Sequence, residues 1–197
     1  LEKKLSTLEK EINTLGDKLT ESRENITKLF VDKINEELKS LGFQNVLFIV
    51  EFTKCEVYSN GKEQIQFLFS ANPDEPPKPL LKVASGGELS RIMLAIKSCI
   101  CLTPSTQTPT MIFDEVDVGV SGEIAASVAK KLYKISNKNQ IICITHQPII
   151  AAMADNYYMT VKKVVDGITS VLVKGVEASE KAEAIACLLT PEKGLKG

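Results

Sequence analysis

The residues best equipped for chemistry lie in three short stretches: Ala84-Ser85-Gly86-Gly87-Glu88, Thr110-Met111-Ile112-Phe113-Asp114-Glu115 and Ile144-Thr145-His146. Asp114 and Glu115 end an apolar run. That puts two carboxylates at the C-terminal edge of a buried strand, where open α/β sheets bind their ligands. Such oxygen donors suit Mg2+, which keeps several waters and accepts phosphate oxygens as further ligands. In phosphoryl transfer, Asp114 would hold the ion, through water, and Glu115 would polarise or position the attacking water. Ser85, Gly86, Gly87 and Glu88 have the composition that brings backbone close to a phosphate: the glycines remove bulk, Ser85 adds a hydroxyl, and a helix N-terminus behind them points amides outward. His146, the only histidine of the chain, follows a second apolar run and would stand at the same sheet edge, able to bond a terminal phosphate. Asp117 and Gly119 lie in the loop after the acidic pair, placed to reach across to another subunit or to water.

Each group also has an ordinary structural reading. An acidic pair at a strand end can cap the next helix or bind a lysine, and Ser-Gly-Gly before a helix is an N-cap and turn. A lone histidine can bond local backbone, and turn chemistry accounts for Asp117 and Gly119. Their joint occurrence favours the chemical reading, because order and spacing match the second half of an ATP-binding cassette. A Gly-x-x-x-x-Gly-Lys-Ser/Thr run, whose amides would wrap the ATP phosphates, does not occur in the sequence. The chain reads as half of an ATPase and is expected to hydrolyse nothing by itself.

The elements that position these residues are legible from periodicity. Leu1, Leu5, Leu8, Ile12, Leu15, Leu19, Ile26 and Leu29 fall on alternating three- and four-residue steps, with Ser22 the one polar seam position. This pattern predicts a coiled-coil helix whose partner lies in sequence outside the chain; an amphipathic bundle helix is the alternative. The apolar positions then shift to Phe30, Ile34, Leu38 and Leu41, as when a coil enters a globular domain, and Gly42 ends the helix. Val46 to Ser70 reads as a hairpin turning at Asn60-Gly61, and Ala71 to Pro79 is too proline-rich for regular structure. The spacing predicts a helix from about Glu88 to Cys101, buried strands at Thr110 to Phe113 and Gln140 to Thr145, and a helix from about Gly122 to Ser136 between them. Strands alternating with helices imply a parallel sheet. Two closing strands, Tyr157 to Val164 and Ile168 to Val173, flank Asp166-Gly167, and Ser179 to Leu189 forms a final helix. The fold class is α/β, organised as a coiled-coil arm over residues 1–41 and a catalytic lobe over 42–197.

Composition sets outer bounds. A formal charge of −1 and a pI near 6.0 give no global basic signal for nucleic acid. Lys130, Lys131, Lys134 and Lys138 form a basic helix edge that solvation explains as well as DNA contact. The odd set of cysteines at 55, 99, 101, 143 and 187 lacks zinc-site spacing and is expected as reduced, buried thiols. No apolar run approaches the roughly 20 residues that span a bilayer, so the expected compartment is the cytoplasm.

Longer strings carry a resemblance. Lys82-Val83-Ala84-Ser85-Gly86-Gly87-Glu88-Leu89-Ser90-Arg91, Phe113-Asp114-Glu115-Val116-Asp117-Val118-Gly119-Val120-Ser121-Gly122, Ile144-Thr145-His146-Gln147-Pro148 and Ala151-Ala152-Met153-Ala154-Asp155 closely resemble the C-terminal half of the bacterial RecN family of DNA-repair proteins. The likeness covers most of residues 42–190 and extends beyond the short cores shared with SMC heads and transporter cassettes. Val118 stands where threonine is expected, and Gln147 where leucine is. The resemblance implies an ABC-type ATPase head split by a long antiparallel coiled coil, with residues 1 to about 40 as the returning arm and the phosphate loop in the upstream half. It makes Ser85, Gly86, Gly87 and Glu88 the signature that caps ATP on a second head, Asp114 and Glu115 the Walker B pair, Asp117 part of an inter-subunit loop, and His146 the switch histidine. ATP and Mg2+ are the implied cofactors. The implied partners are the upstream half, a second head in an ATP-dependent homodimer, and DNA at double-strand breaks, with no membrane; the implied location is the nucleoid. Another SMC-like chromosome-organising head, or a decayed interaction module without activity, are the alternatives.

Overall fold

The computed structural model describes residues 2–72, 74–82, 85–101, 110–165 and 168–189. The chain groups into two units, Leu1–Cys99 and Ile100–Gly197.

The first unit is built on helix α1 (Glu2–Ser40). It ends in a Schellman motif: Phe43 N–H donates to Leu38 O at 3.2 Å, Gly42 N–H donates to Lys39 O at 3.3 Å, and Gly42 takes the left-handed φ of 94° that the motif requires. Strands β1 (Leu47–Tyr58) and β2 (Gly61–Ser70) form an antiparallel hairpin, paired from Leu47↔Ser70 to Tyr58↔Gly61. The apolar shift in α1 marks the point where it meets this hairpin. Ile34 and Leu38 are fully buried, and Phe30 packs against Phe48 and Phe67 with ring centroids 6.5 and 6.2 Å apart. Above this contact the coil seam is open, with Leu5, Leu8, Ile12, Leu15, Ile26 and Leu29 all exposed.

The hairpin tip clasps the arm. Glu63, buried on β2, accepts hydrogen bonds from the Thr20 hydroxyl and from Arg23 Nη1 at 3.5 Å, and Lys62 Nζ pairs with Asp17 at 2.8 Å. Gly16 permits the approach, since a Cβ there would lie 2.3 Å from Lys62 Cδ. The turn lies one residue before its expected place. The connection is Ser59-Asn60, and Gly61 opens β2 at φ 118°, where an added Cβ would press on Arg23 and Leu19.

The proline-rich stretch holds more structure than expected. Lys78–Pro79 is a short strand, β3, paired with Phe69 and Leu68 of β2, because proline is tolerated on a sheet edge. Helix α2 (Gly86–Cys101) follows a 3-10 turn at Leu80–Lys82 and buries Ile92, Leu94, Ala95 and Ile96. Phe48 is fully buried and touches both Phe30 and Phe67. Phe48→Ala is expected to cost about 3 to 5 kcal/mol of unfolding free energy, measured by denaturant titration of circular dichroism. A loss below about 1 kcal/mol would contradict this packing.

The second unit contains the expected β-α-β segment. Strands β4 (Met111–Phe113) and β5 (Ile141–Cys143) pair in parallel, Met111↔Ile141 to Phe113↔Cys143. Helix α3 (Gly122–Ser136) connects them. Its buried residues, Ala125, Val128, Ala129, Leu132 and Ile135, recur at helical spacing. A short helix absent from the sequence reading, α4 (Pro148–Ala152), packs on α3 and on α5 (Lys181–Leu189). Lys181 of α5 caps α4 by donating to Ala152 O at 3.1 Å and to Ala154 O. Strands β6 (Tyr157–Val165) and β7 (Ile168–Val176) form an antiparallel hairpin; Asp166-Gly167 lies outside the described residues.

One expectation is corrected here. The strands of the parallel pair are not buried on both faces: Met111 and Phe113 are buried, whereas Ile112 is 67% exposed, Ile142 47% and Ile144 57%. A continuous apolar run signals a strand covered on both sides, and this unit covers only one. Among the described residues, no helix is long and apolar enough to cross a membrane.

Candidate functional site

Asp114 follows the last residue of β4 and is exposed, as is Glu115. Both carboxylates therefore stand at the C-terminal edge of the parallel pair, as the strand reading requires. Glu115 is the one non-glycine residue with positive φ among those described, at 60°. A left-handed conformation costs an ordinary side chain roughly 1 to 2 kcal/mol, and such strain collects at functional sites. The turn is closed by Val118 N–H to Glu115 O at 3.2 Å and Val120 N–H to Asp117 O at 3.4 Å. The next helix, α3, has Ser121 as its N-cap, so the acidic pair does not cap it. Among the described residues, no cluster of three or more His, Cys, Asp or Glu forms a metal cage. The donor set, two exposed carboxylates on one turn, fits an ion whose other ligands are water and phosphate.

Asp117 points inward. It is 2% exposed, and its Oδ2 accepts from His146 N–H at 3.0 Å and from the Thr145 hydroxyl, and lies 3.2 Å from His146 Nδ1. The imidazole itself is 67% exposed. His146 is therefore held by a carboxylate from the loop after β4, not by neighbouring backbone. Thr145 Oγ1 accepts Gln147 N–H at 3.0 Å, and Gln147 Nε2 donates to Val120 O at 3.2 Å, tying the two loops together. Asp114, Glu115, Asp117 and His146 thus share one edge of the second unit.

Ser85 to Glu88 belong to the first unit. Gly86 begins α2, two residues earlier than expected, and is exposed; Gly87 is buried. Ser85 is the helix cap, its carbonyl accepting Leu89 N–H at 3.0 Å and its hydroxyl standing 3.5 Å from Glu88 N. The ordinary N-cap reading of this motif therefore holds, and it leaves the exposed Gly86 amide end of α2 open to an anion. Ala84 lies outside the described residues.

Three residues near these motifs carry more than the sequence reading assigned them. Thr145 and Gln147 fix the His146 loop; a Thr-x-Gln-Pro run entering a helix was the available signal. Arg91 of α2 is buried with its guanidinium 5.3 Å from the Phe43 ring centroid. Burial lowers its pKa, and the Glu88 carboxylate acts in the opposite direction. Cys55, Cys99, Cys143 and Cys187 are free thiols, half-buried where burial was expected. Burial, and then the charges of Asp117 and Asp114, push the Cys143 thiol up to about 12. It stays protonated at neutral pH and is a poor nucleophile.

The chain is similar over 96% of its length to the DNA repair protein RecN of Halalkalibacterium halodurans, at 39% identity, and to that of Bacillus subtilis, at 37%. A third relative, the RecN of Synechocystis, is 40% identical over 84% of the chain. The chain belongs to the RecN family. It spans about a third of the length of the RecN relatives it matches, 34%, 35% and 28% respectively. No family model matches it. Its fold is that of SMC heads. The Smc head with a coiled coil and joint from Pyrococcus yayanosii superposes with a TM-score of 0.61 at 18% identity, over 97% of this chain and 35% of that one. The Pyrococcus furiosus Smc head with an extended coiled coil gives 0.56 at 16%, over 95% and 44%. The long helix and mixed α/β body of this RecN-family chain are thus accounted for together.

Proposed function

We propose that this chain is the C-terminal part of a RecN-like ATPase head. Residues 1–41 form the returning arm of an antiparallel coiled coil, and 42–197 form the lobe that carries the signature, Walker B and switch residues. The observation that carries the reading is the exposed Asp114-Glu115 pair at the C-terminal edge of β4, with His146 fixed at the end of the adjacent strand. Mg2+, when bound, neutralises phosphate charge. Asp114 would hold it through water, and Glu115 would orient and polarise the attacking water. His146 would hydrogen-bond the terminal phosphate, and Ser85 with the Gly86 and Gly87 amides would close over the nucleotide of a second head.

Two open surfaces support the partners. The exposed seam of α1 suits an outgoing arm, and Ile112, Ile142 and Ile144 suit an upstream lobe that completes the sheet. Repair of DNA breaks, DNA as a partner, and a cytoplasmic, nucleoid-associated location follow from the family alone. The alternative of a decayed interaction module is disfavoured by an intact carboxylate pair. Calorimetric titration with Mg2+ and ATP tests the reading. Binding by the protein that includes the native upstream half would support it, and no binding by that protein would overturn it.

A further inference from the structure

We infer that Asp117 is a positioning residue that sets the tautomer of His146, so that the exposed imidazole presents Nε2 to the nucleotide site. This rests on the ATPase reading and assigns Asp117 a role within its own chain, in place of a reach to a second subunit. A single carboxylate oxygen, Asp117 Oδ2, faces His146 Nδ1 at 3.2 Å, His146 N at 3.0 Å and the Thr145 hydroxyl. An ionised carboxylate accepts hydrogen bonds and donates none, so the Nδ1 facing it carries the proton. In a histidine the nitrogen left to act is decided by the bond the other one makes.

The arrangement is anchored from below. Asp117 is 2% exposed while the ring it holds is 67% exposed, so the fixed end is inside the protein and the working end outside. Thr145 shares the same oxygen and braces the following turn through Gln147 N–H. Thr145 therefore holds the loop, and Asp117 holds the ring.

The test uses the full-length protein with its histidines labelled with 15N, the His146 signal being identified by its loss in His146→Gln. The expected spectrum shows His146 protonated at Nδ1. In Asp117→Ala the signal moves to the Nε2–H form, and kcat for ATP falls about tenfold or more with KM little changed, as when the partner orienting a functional histidine is removed. Thr145→Val keeps the wild-type tautomer. An Nε2–H signal in the wild-type protein overturns the inference without any variant. So does an Asp117→Ala protein that loses turnover with its tautomer unchanged, because Asp117 then only supports the loop. No ATP turnover by the wild-type full-length protein would remove the ATPase reading instead, and the tautomer result would stand apart from it.

Discussion

Glu115→Gln in the full-length protein is expected to keep ATP binding and to lose turnover by about 10²- to 10⁴-fold, the usual contribution of a positioned acid-base group. The substitution is nearly isosteric. It preserves the side-chain length and the left-handed backbone at φ 60°, and it changes no buried charge, because Glu115 is exposed. Stability should therefore stay within about 0.5 kcal/mol, as for surface changes generally. The neutral amide cannot take a proton from water, so the loss falls on kcat and not on nucleotide affinity. Single-turnover ATP hydrolysis with a parallel binding titration separates the two. Turnover within about threefold of wild type would remove Glu115 from the mechanism.

Ser85→Arg should abolish ATP-dependent pairing of heads while leaving each head able to bind its own nucleotide. Ser85 caps α2, next to the exposed Gly86. An arginine there places bulk and positive charge at the positive end of the helix dipole, in the space the partner's nucleotide would enter. Loss of the cap alone costs about 0.5 to 2 kcal/mol. Ser85→Ala shares that cost without the obstruction, so it serves as the control. In sedimentation velocity with ATP and Mg2+, in a Glu115→Gln background, the arginine variant should remain single-headed and the alanine variant should pair. Pairing by both would contradict the assignment of this motif to the head–head contact.

Helix α3 was legible to the residue, because Ala125, Val128, Ala129, Leu132 and Ile135 mark one face. Gly42 announced the end of α1, since glycine adopts the left-handed cap found there, at φ 94°, without a side-chain clash. The misses are tertiary. Asn60-Gly61 is a good local turn signal, yet Gly61 pairs with Tyr58 as the first residue of β2, where an added Cβ would press on Arg23 and Leu19. An apolar run cannot say which of its faces the same chain covers, so the exposure of Ile112 and Ile142 was hidden. At the site, residue types and order pointed to one sheet edge for Asp114, Glu115 and His146. The bond between Asp117 and His146 spans 29 positions, and no local pattern encodes it.

If these residues supply one half of an ATPase head, Mg2+-dependent ATP hydrolysis depends on the other half being present. It should be measured for this chain alone, for the chain rejoined to its native upstream sequence, and for the rejoined Glu115→Gln variant. Turnover is expected only in the rejoined, unmutated protein. Turnover by the isolated chain, or none in any form, would contradict it.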